Sequence, residues 1–302
     1  MIAFVSASPS IDRLLHVDAV RVGEIHRPRD VVAVPGGKGL NAARAAHALG
    51  AGVVAVALLG GHAGRWIAEE LRGEGVAVEV VPCAGETRTS LSVAADDGAG
   101  LTEFYEPAPQ VDAATWEALE AAVARVARDV RWVAVSGSLP PGSPPDAYGR
   151  LTTVAREAGA SVALDARGSG LAAGLDAGPD FVKVNASEAA ELGIATPADL
   201  RAAAGGGERV AAITHGAEGM VLSLPFGRDR RALPPAIGAY PVGSGDAALG
   251  GFLAALDSGG DWDAALALAA GAAAANAEQP GAGRLEGPRA LDLARAAAAN
   301  VS

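Results

Sequence analysis

The sequence predicts an α/β fold in which a mainly parallel sheet is covered by helices on both faces. Short apolar segments such as Ile2–Ser6 and Gly52–Leu59 are bounded by polar or glycine residues, which is typical of strands buried on both sides. Segments of helical length, such as Ala113–Ala127, alternate with these strands along the chain. The 302 residues contain no internal repeat and no long linker, so we expect a single domain, 1–302.

The individual elements follow from the apolar segments and from the glycine, proline and capping residues between them. Besides the two segments above, we predict strands at Val76–Val81, Trp132–Ser136, Ser161–Asp165, Phe181–Val184, Val210–Thr214 and Met220–Leu224. Further helices are predicted at Ala42–Leu49, Gly64–Arg72, Pro145–Ala158 and Ser187–Leu192. The chain after Gly245 is alanine-rich and predicted to be mostly helical, and Ser8–Asp12 is expected to form a turn.

Two stretches depart from the alternation of strands and helices. Thr89–Val93 and Leu101–Tyr105 alternate apolar and polar residues on either side of Asp96-Asp97-Gly98, which indicates an antiparallel hairpin. A similar pattern occurs within 13–34. We therefore expect residues 13–34 and 87–105 to form a small sheet that covers one end of the main sheet as a lid.

Composition and charge exclude several classes of function. The net charge is −11 and the only basic run, Arg228–Arg231, is short, so nucleic acid and anionic membranes are poor candidates as partners. No apolar run approaches the roughly 20 residues of a membrane span, and the N-terminus lacks the basic region of a signal peptide. A single cysteine, Cys83, excludes an internal disulfide. We expect a cytoplasmic protein that acts on small molecules.

The distribution of lysine marks two places in the chain before any motif is considered. Of the 24 basic residues, 22 are arginine, and the two lysines are Lys38 and Lys183. Each lysine lies close to an asparagine, Asn41 and Asn185 respectively. Lysine is a compact point charge and arginine a planar fork, so a site that needs the former resists replacement by the latter. The two lysines therefore indicate functional loops.

The segment Gly243-Ser244-Gly245-Asp246 precedes a run of small apolar residues and is predicted to start a helix. Free amides and the positive end of the helix dipole at such a place bind phosphate or developing negative charge. Asp246 beside this anion site suits a base that activates a hydroxyl in phosphoryl transfer. An ordinary capped helix explains the segment equally well when it is considered alone.

Ligands of open parallel sheets bind beyond the carboxyl ends of the strands, and the loops there hold most of the polar motifs of this chain. The residues and segments at these strand ends are Asp12, Gly36–Asn41, Ser136–Ser138, Asp165, Lys183–Glu188, Thr214–Gly219 and Gly243–Asp246. A Walker A loop is excluded, because Val32 stands at the required first glycine and Gly39 follows the lysine. The chain also lacks a Rossmann fingerprint after the first strand, a nucleophile elbow and metal-ligand spacing among its five histidines.

Taken together, these motifs resemble a known family. Gly36-Gly37-Lys38-Gly39-Leu40-Asn41 and Val242-Gly243-Ser244-Gly245-Asp246 resemble the two signatures of the PfkB (ribokinase-like) carbohydrate kinases, and the likeness covers essentially the whole chain. Within the family, Pro9-Ser10-Ile11-Asp12, Gly85-Glu86-Thr87-Arg88 and Ser136-Gly137-Ser138-Leu139-Pro140 are similar to the sugar-phosphate branch. That branch contains 1-phosphofructokinases, tagatose-6-phosphate kinases and minor 6-phosphofructokinases.

The resemblance implies a ribokinase-like fold and transfer of the γ-phosphoryl of ATP to a hydroxyl of a ketohexose phosphate, with fructose 1-phosphate and tagatose 6-phosphate as the leading acceptors. It implies Asp246 as the base and an anion hole formed by Gly243, Ser244 and Gly245. For the sugar and its phosphate it implies Asp12, Gly37, Lys38, Asn41, Arg88 and Ser138. For ATP it implies Lys183, Asn185, Thr214, Gly216, Gly219 and Asn276. Asn185 and Glu188 would order Mg²⁺ through water.

Five residues depart from the family pattern as it is aligned here. Val184 replaces a usual proline, Ser8 an asparagine and Ala247 a serine that commonly follows the base. Arg167 stands where this branch tends to have serine, and we expect it close to the phosphate-donor side. Glu24 occupies the position of a phosphate-binding lysine in the 6-phosphofructokinases of the branch, which weighs against fructose 6-phosphate.

Two other functions remain compatible with the sequence. One is a kinase of the same fold that acts on an unphosphorylated sugar or a nucleoside, although Lys38 and Arg88 favour a phosphorylated acceptor. The other is a non-catalytic sensor of a sugar or nucleotide, against which the intact Gly243–Asp246 segment argues. Members of the family form dimers through their lids, so the resemblance also suggests a homodimer through the 87–105 hairpin.

Overall fold

The computed structural model describes residues 1–97 and 100–302, and it contains two sheets. The larger sheet has the strand order β13-β12-β11-β10-β9-β8-β1-β4-β5. Its first seven strands along the chain are β1 Ile2–Ser6, β4 Val53–Leu59, β5 Ala77–Pro82, β8 Trp132–Gly137, β9 Ser161–Ala166, β10 Phe181–Asn185 and β11 Val210–Thr214. These strands are mutually parallel, whereas β12 Met220–Leu224 and β13 Arg228–Ala232 are antiparallel additions at one edge.

Ten α-helices lie within the described residues, most of them packed on the faces of the large sheet. They are α1 Lys38–Ala48, α2 Gly61–Gly73, α3 Ala113–Ala127, α4 Ala147–Glu157, α5 Gly168–Asp176, α6 Ala186–Glu191, α7 Pro197–Ala203, α8 Ser244–Asp257, α9 Trp262–Ala277 and α10 Gly287–Ala298. Alternate residues of β1 enter opposite cores: Ile2 and Phe4 pack in the core that contains α1, α2, α8 and α9, and Ala3 and Val5 in the other. The expected fold class, a parallel sheet between helical layers, is confirmed.

The smaller sheet has the order β3-β2-β6-β7 and lies over one end of the large one. It consists of β2 Ser10–Val17, β3 Asp30–Gly36, β6 Arg88–Ala95 and β7 Gly100–Tyr105. β6 and β7 pair in antiparallel fashion, as the alternating pattern predicts, although Gly98 of the predicted turn lies outside the described residues. β2 pairs with β3 antiparallel and with β6 parallel, so the two separate stretches of the chain form one sheet.

Two predictions at the start of the chain are wrong. Asp12 belongs to strand β2, not to a turn, because Ser10–Asp12 pair with both Val34–Gly36 and Arg88–Ser90. Helix α1 begins at Lys38, four residues earlier than expected. The glycines before Ala42 suggested a loop, but Gly39 is a helical residue whose Cβ would lie 2.6 Å from the carbonyl oxygen of Val5. Glycine permits this close contact with β1.

Three other elements are not evident from the sequence pattern: α5, α7 and β13. Helix α5 is rich in glycine, which disfavours a helix in isolation. Packing explains two of its glycines, since a Cβ on Gly170 would lie 3.0 Å from Tyr148 and one on Gly174 would lie 2.6 Å from Leu164. The charged run that forms β13 is an edge strand, where charges discourage pairing with another molecule.

The arrangement of the strands determines where a ligand can bind. β1 runs directly towards the small sheet, and β3 leads through Gly37 into α1, so the small sheet lies at the carboxyl edge of the large one. The N-termini of α1, α5 and α6 immediately follow the strands that end at this edge. Within residues 1–97 and 100–302, no helix combines the length and the apolarity that a membrane span requires.

Candidate active site

A cleft of about 520 Å³ lies between the small sheet and the carboxyl edge of the large sheet. Its walls bring together residues that are far apart in the sequence. Seven of the predicted sugar-side and catalytic residues line it: Asp12, Gly37, Lys38, Asn41, Arg88, Ser138 and Asp246. Residues from several strand-end loops therefore meet in this cleft, as we expect from the order of the strands.

The start of helix α8 forms the floor of the cleft. Gly243 precedes the helix with φ +84°, and a Cβ at this position would lie 2.8 Å from Cα of Ala282, so only glycine suits the turn. The N–H of Ser244 donates to the carbonyl of Pro241 at 3.1 Å. The amides of Gly245 and Asp246 in the first turn are therefore the better candidates for an anion hole, because an α-helix supplies no internal acceptor for its first N–H groups.

Asp246 is buried, with 8% of its surface exposed, and it lies in the first turn of α8. The side-chain amide of Asn41 donates to its Oδ2 at 2.9 Å. Burial and the nearby charge of Asp165 raise the pKa of Asp246 to about 7, against the opposing effects of Lys38, Asn41 and Lys183. A carboxylate with this pKa can take up a proton near neutral pH and release it again.

Asp165 connects both lysines of the chain. It lies at the carboxyl end of β9 and is fully buried, with Nζ of Lys38 3.0 Å from Oδ1 and Nζ of Lys183 2.6 Å from Oδ2. Burial alone would raise the pKa of Asp165, but the charges of Lys183 and Lys38 hold it below its usual range. The sequence analysis placed Asp165 in a strand-end loop but gave it no role. The scarcity of lysine could have identified it, because both lysines require a counter-charge.

Lys38 also contacts Glu188, whose Oε1 lies 2.5 Å from its Nζ. Burial would lower the pKa of Lys38, but Asp165, Glu188 and Asp246 together raise it, so the side chain stays charged. In this structure the ammonium group bridges two carboxylates at the edge of the cleft. Its predicted contact with a sugar phosphate therefore requires the ammonium to share its donors with these carboxylates.

The small sheet contributes Asp12 and Arg88 to the cleft. Asp12 accepts from Ser10 Oγ at 2.6 Å and from the N–H of Gly37 at 3.4 Å, and burial raises its pKa. Gly36 has to be glycine, because a Cβ there would lie 2.0 Å from Cγ of Asp12. Arg88 donates to the carbonyl of Ser8 at 3.2 Å. The lid strands thus place one carboxylate and one guanidinium group opposite α8.

A second cavity, of about 350 Å³, lies on the other side of the α8 N-terminus. Its lining includes six predicted nucleotide-side or phosphoryl residues: Asn185, Thr214, Gly216, Gly219, Ser244 and Gly245. Its other walls are mostly apolar, with Met220, Ile237 and several alanines of α9. A Cβ on Gly219, which has φ +90°, would lie 2.1 Å from the carbonyl oxygen of Ala232. The two cavities meet at Gly243–Asp246.

Asn276 does not line this second cavity, although the resemblance implies a position close to the nucleotide. It is fully buried, and its Nδ2 donates to the carbonyl of Val242 at 2.9 Å. Its Oδ1 accepts from the N–H of Gly283 at 2.8 Å. Asn276 therefore supports the glycine turn before α8 from behind, a role that the sequence of an alanine-rich helix does not reveal.

The predicted magnesium residues form a helix cap. Oδ1 of Asn185 accepts from the N–H of Glu188 at 2.8 Å, and Oε2 of Glu188 accepts from the N–H of Asn185 at 2.9 Å. The other oxygen of Glu188 faces Lys38 and the cleft. Among the described residues no group of three or more metal-ligating side chains exists. Mg²⁺ needs only one or two carboxylates when water and phosphate complete its shell, so Glu188 at the edge of the cleft fits such an ion.

Comparison with known proteins gives a consistent result. Residues 5–287 match the pfkB family of carbohydrate kinases. The chain is 36% identical over 271 residues to a 1-phosphofructokinase of Haloferax volcanii and 32% identical over 269 residues to one of Rhodobacter capsulatus. Each alignment covers 86% of this chain and 85% of the relative. The fold is similar to the tetrameric inhibited form of phosphofructokinase-2 from Escherichia coli, with a TM-score of 0.87, 24% identity and coverage of 97% and 98% of the two chains.

The chain belongs to the pfkB family of carbohydrate kinases, and it is a phosphotransferase with an alcohol group as acceptor. Within that class it is a sugar-phosphate kinase similar to the 1-phosphofructokinases.

The buried position of Asn276 leads to a prediction about stability. Asn276→Leu leaves the carbonyl of Val242 and the N–H of Gly283 without partners, and each unsatisfied buried group costs about 1–3 kcal/mol. We expect the free energy of unfolding, measured by urea denaturation, to fall by about 2–4 kcal/mol. Asn300→Leu, at an exposed position, is the matched control and should change it by less than about 0.5 kcal/mol. Unchanged stability with weakened ATP binding would instead support the original assignment of Asn276.

Proposed function

We propose that this protein is an ATP-dependent kinase that transfers the γ-phosphoryl group of ATP to a hydroxyl of a ketohexose phosphate, with fructose 1-phosphate as the leading acceptor and tagatose 6-phosphate as the next. The observation that carries the proposal is the position of Asp246. This buried carboxylate, whose pKa is raised to about 7, lies at the N-terminus of α8 between the two cavities. An acceptor hydroxyl in one cavity and the terminal phosphate of a nucleotide in the other would meet beside it.

The acceptor would occupy the cleft under the lid. Oδ1 of Asn41 and Oγ of Ser136 are buried without hydrogen-bond partners among the described residues, and both residues line the cleft. Unsatisfied buried acceptors and hydroxyls of this kind favour a ligand rich in hydroxyl groups. Asp12, Gly37 and Asn41 would bind the sugar hydroxyls, whereas Lys38, Arg88 and Ser138 would bind the phosphate that the sugar already carries.

ATP would occupy the second cavity. The apolar wall formed by α9 suits a flat base, and Thr214, Gly216, Gly219 and Asn185 would line the nucleotide. Lys183 lies near the transfer point, since its Nζ is 3.8 Å from where a Cβ of Gly245 would be. The backbone between Gly243 and Asp246 would hold the transferring phosphoryl group, with the amides of Gly245 and Asp246 as donors.

Asp246 would accept the proton of the attacking hydroxyl. Asn41 fixes the orientation of its carboxylate, and burial keeps the group basic enough for this task. Lys38 and Lys183, both held by Asp165, would neutralise charge that develops on the phosphoryl oxygens. Glu188 and Asn185 would hold Mg²⁺ through water, and the ion would supply positive charge to the phosphate oxygens of ATP. Phosphoryl transfer depends mainly on such positioning and charge neutralisation.

We also propose that the protein forms a homodimer through the outer face of its lid and functions in the cytoplasm. Phe104, which is 59% exposed, lies beside Leu91 on this face, and Val31 lies beside Leu15. Val22 and Ile25 in the adjoining loop are also largely exposed. A contiguous apolar patch of this kind marks an association surface. A second copy of the chain fits it best, because residue pairs of one sheet face can contact their own equivalents across a two-fold axis.

Replacing the proposed base tests the reaction directly. Asp246→Asn is expected to lower kcat by about 10²–10⁴-fold, the usual contribution of a general base, while the Kd for ATP changes little. The assay is ADP release with fructose 1-phosphate, tagatose 6-phosphate, fructose 6-phosphate, free hexoses and nucleosides. Turnover of free sugars or nucleosides alone would contradict the assignment of a phosphorylated acceptor. Tight binding without any turnover would indicate a sensor, and normal activity of the variant would remove Asp246 as the base.

The raised pKa of Asp246 predicts a pH dependence of activity. Because only the ionised carboxylate accepts a proton, kcat/KM for the acceptor should rise about tenfold per pH unit below pH 7 and level off above it.

The raised pKa of Asp246 affects the free energy of unfolding in the opposite direction. Its folded pKa exceeds the ordinary value of 3.8, so its contribution to the free energy of unfolding is lost as the pH rises from about 4 to about 7. Asp246→Asn should lack this loss, and equal pH profiles of unfolding for both proteins would contradict the raised pKa.

The proposed dimer predicts a change of mass in solution. The protein should sediment as a dimer, and Phe104→Asp should convert it to a monomer, because the substitution places a charge on the apolar outer face of the lid. Leu291→Asp, at another exposed apolar position, serves as the control and should remain dimeric. Sedimentation equilibrium distinguishes the two states. A monomeric wild-type protein, or a dimer unaffected by Phe104→Asp, would exclude this interface.

A further inference from the structure

Two arginines that line the cleft, Arg13 and Arg167, have no role in the function proposed above. Arg167 follows strand β9 directly and precedes α5, and its side chain is exposed and lines the cleft. It occupies the N-cap position of α5, but its side chain makes no capping hydrogen bond. Within residues 1–97 and 100–302, its guanidinium group forms no hydrogen bond and no ion pair, so all of its donors are available to a ligand.

Arg167 shares the cleft with Arg88 of the lid. Burial lowers the pKa of Arg88, Asp12 and Tyr105 counteract this effect, and the positive charge of Arg167 lowers it further. The two guanidinium groups are therefore close enough to repel each other. Arg88 also keeps one donor free, since its Nε is buried without a partner. Two neighbouring cations repel each other, and an anion that accepts hydrogen bonds from both removes this repulsion.

Most other charged groups of the cleft are engaged by neighbouring residues. Arg13 forms no hydrogen bond or ion pair among the described residues, but it follows Asp12 along β2, so its Cβ lies on the opposite face of the small sheet. Lys38 contacts Asp165 and Glu188. The two carboxylates on the lid side bond to the lid itself: Asp12 accepts from Ser10 and Gly37, and Glu106 accepts from the N–H of Thr89 at 2.7 Å. Neither forms an ion pair with Arg167 among the described residues. Uncommitted donors for an incoming anion therefore come chiefly from Arg88 and Arg167.

We propose that Arg167 and Arg88 together clamp the phosphate group that the acceptor sugar carries, and that Arg167 makes the enzyme select phosphorylated over free sugars. The inference rests on the proposed function and assigns the residue that determines its acceptor class. Arg88 approaches the phosphate from the lid and Arg167 from the end of β9, so the clamp spans the cleft. This position differs from the expectation that Arg167 lies on the phosphate-donor side.

The chemistry of arginine suits this role. Its planar fork binds two phosphate oxygens at once, whereas a serine at the same place offers one hydroxyl. An arginine on each side also counteracts the repulsion between the phosphate and the nearby carboxylates of Asp12 and Glu106. Because the contact is made to a part of the acceptor that does not react, it affects binding in the ground state and the transition state equally.

The test compares Arg167→Ser with Arg128→Ser, which removes the same charge at an exposed position at the end of α3, away from the cleft. Arg167→Ser should raise KM for fructose 1-phosphate about 10–100-fold while kcat changes less than about threefold and KM for ATP stays the same. The ratio of kcat/KM for fructose 1-phosphate to that for free fructose should fall by the same factor. Arg167→Lys should restore part of the loss, and Arg128→Ser should match the wild type.

Two results would overturn the clamp while leaving the proposed function intact. In the first, the wild-type enzyme phosphorylates a ketohexose phosphate and Arg167→Ser leaves its KM unchanged. In the second, Arg167→Ser raises KM for ATP alone, which would place Arg167 on the donor side. If the wild-type enzyme phosphorylates no sugar phosphate, the proposed function and the clamp both fail. Arg167 is exposed and unbonded, so its variants should keep the wild-type Tm, and a lowered Tm would contradict its lack of partners.

Discussion

The site depends on one buried carboxylate that holds two ammonium groups. Asp165 ends β9 and binds Lys38 from α1 on one side and Lys183 from β10 on the other, so a single residue fixes both lysines of the chain. Without it, the buried ammonium group of Lys183 would lack its counter-charge, at a cost of about 3–5 kcal/mol, and Lys38 would keep Glu188 alone as a partner. Asp165 also raises the pKa of Asp246 through like-charge repulsion, which Lys38 and Lys183 partly offset. The positions of the cations and the basicity of Asp246 are therefore properties of one connected network.

The network requires the helices to approach closely, and small residues make this approach possible. A Cβ on Gly250 of α8 would lie 2.5 Å from the carbonyl oxygen of Ala42 in α1, and one on Gly271 of α9 would lie 2.5 Å from the amide nitrogen of Ala294 in α10. Helix α1 carries Lys38 and Asn41, and α8 carries Asp246, so their separation sets the distance between these groups. Asn276 of α9 then holds the turn at Gly243. The alanine-rich and glycine-rich helices look like low-complexity sequence, but their small residues allow the close helix packing that the site requires.

The parts of the site that could be predicted from the sequence are those in which short-range pattern and chemistry coincide. Gly243–Asp246 combines turn glycines, a helix start and a carboxylate, and the scarcity of lysine points to Lys38 and Lys183. The errors have a different origin. Asp12 was assigned to a turn because local propensity favours one, whereas pairing with two distant strands makes it part of β2. Asn276 and Asp165 act through contacts with residues far along the chain, and no local pattern reports such contacts.

Selection of the acceptor illustrates the same limit. The resemblance places Glu24 at a phosphate-binding position of related kinases. In the folded chain Glu24 is exposed in the loop between β2 and β3, where its Oε2 lies 3.5 Å from Nη1 of Arg21. It does not line the cleft. Guanidinium donors that remain free in the cleft include Nε of Arg88, in β6 of the small sheet, and those of Arg167, which follows β9 of the large sheet and lies 79 positions further along the chain. The position of the small sheet over the large one brings them together, so the proposed preference for a phosphorylated acceptor depends on the assembly of the lid and the main sheet, and not on any one sequence motif.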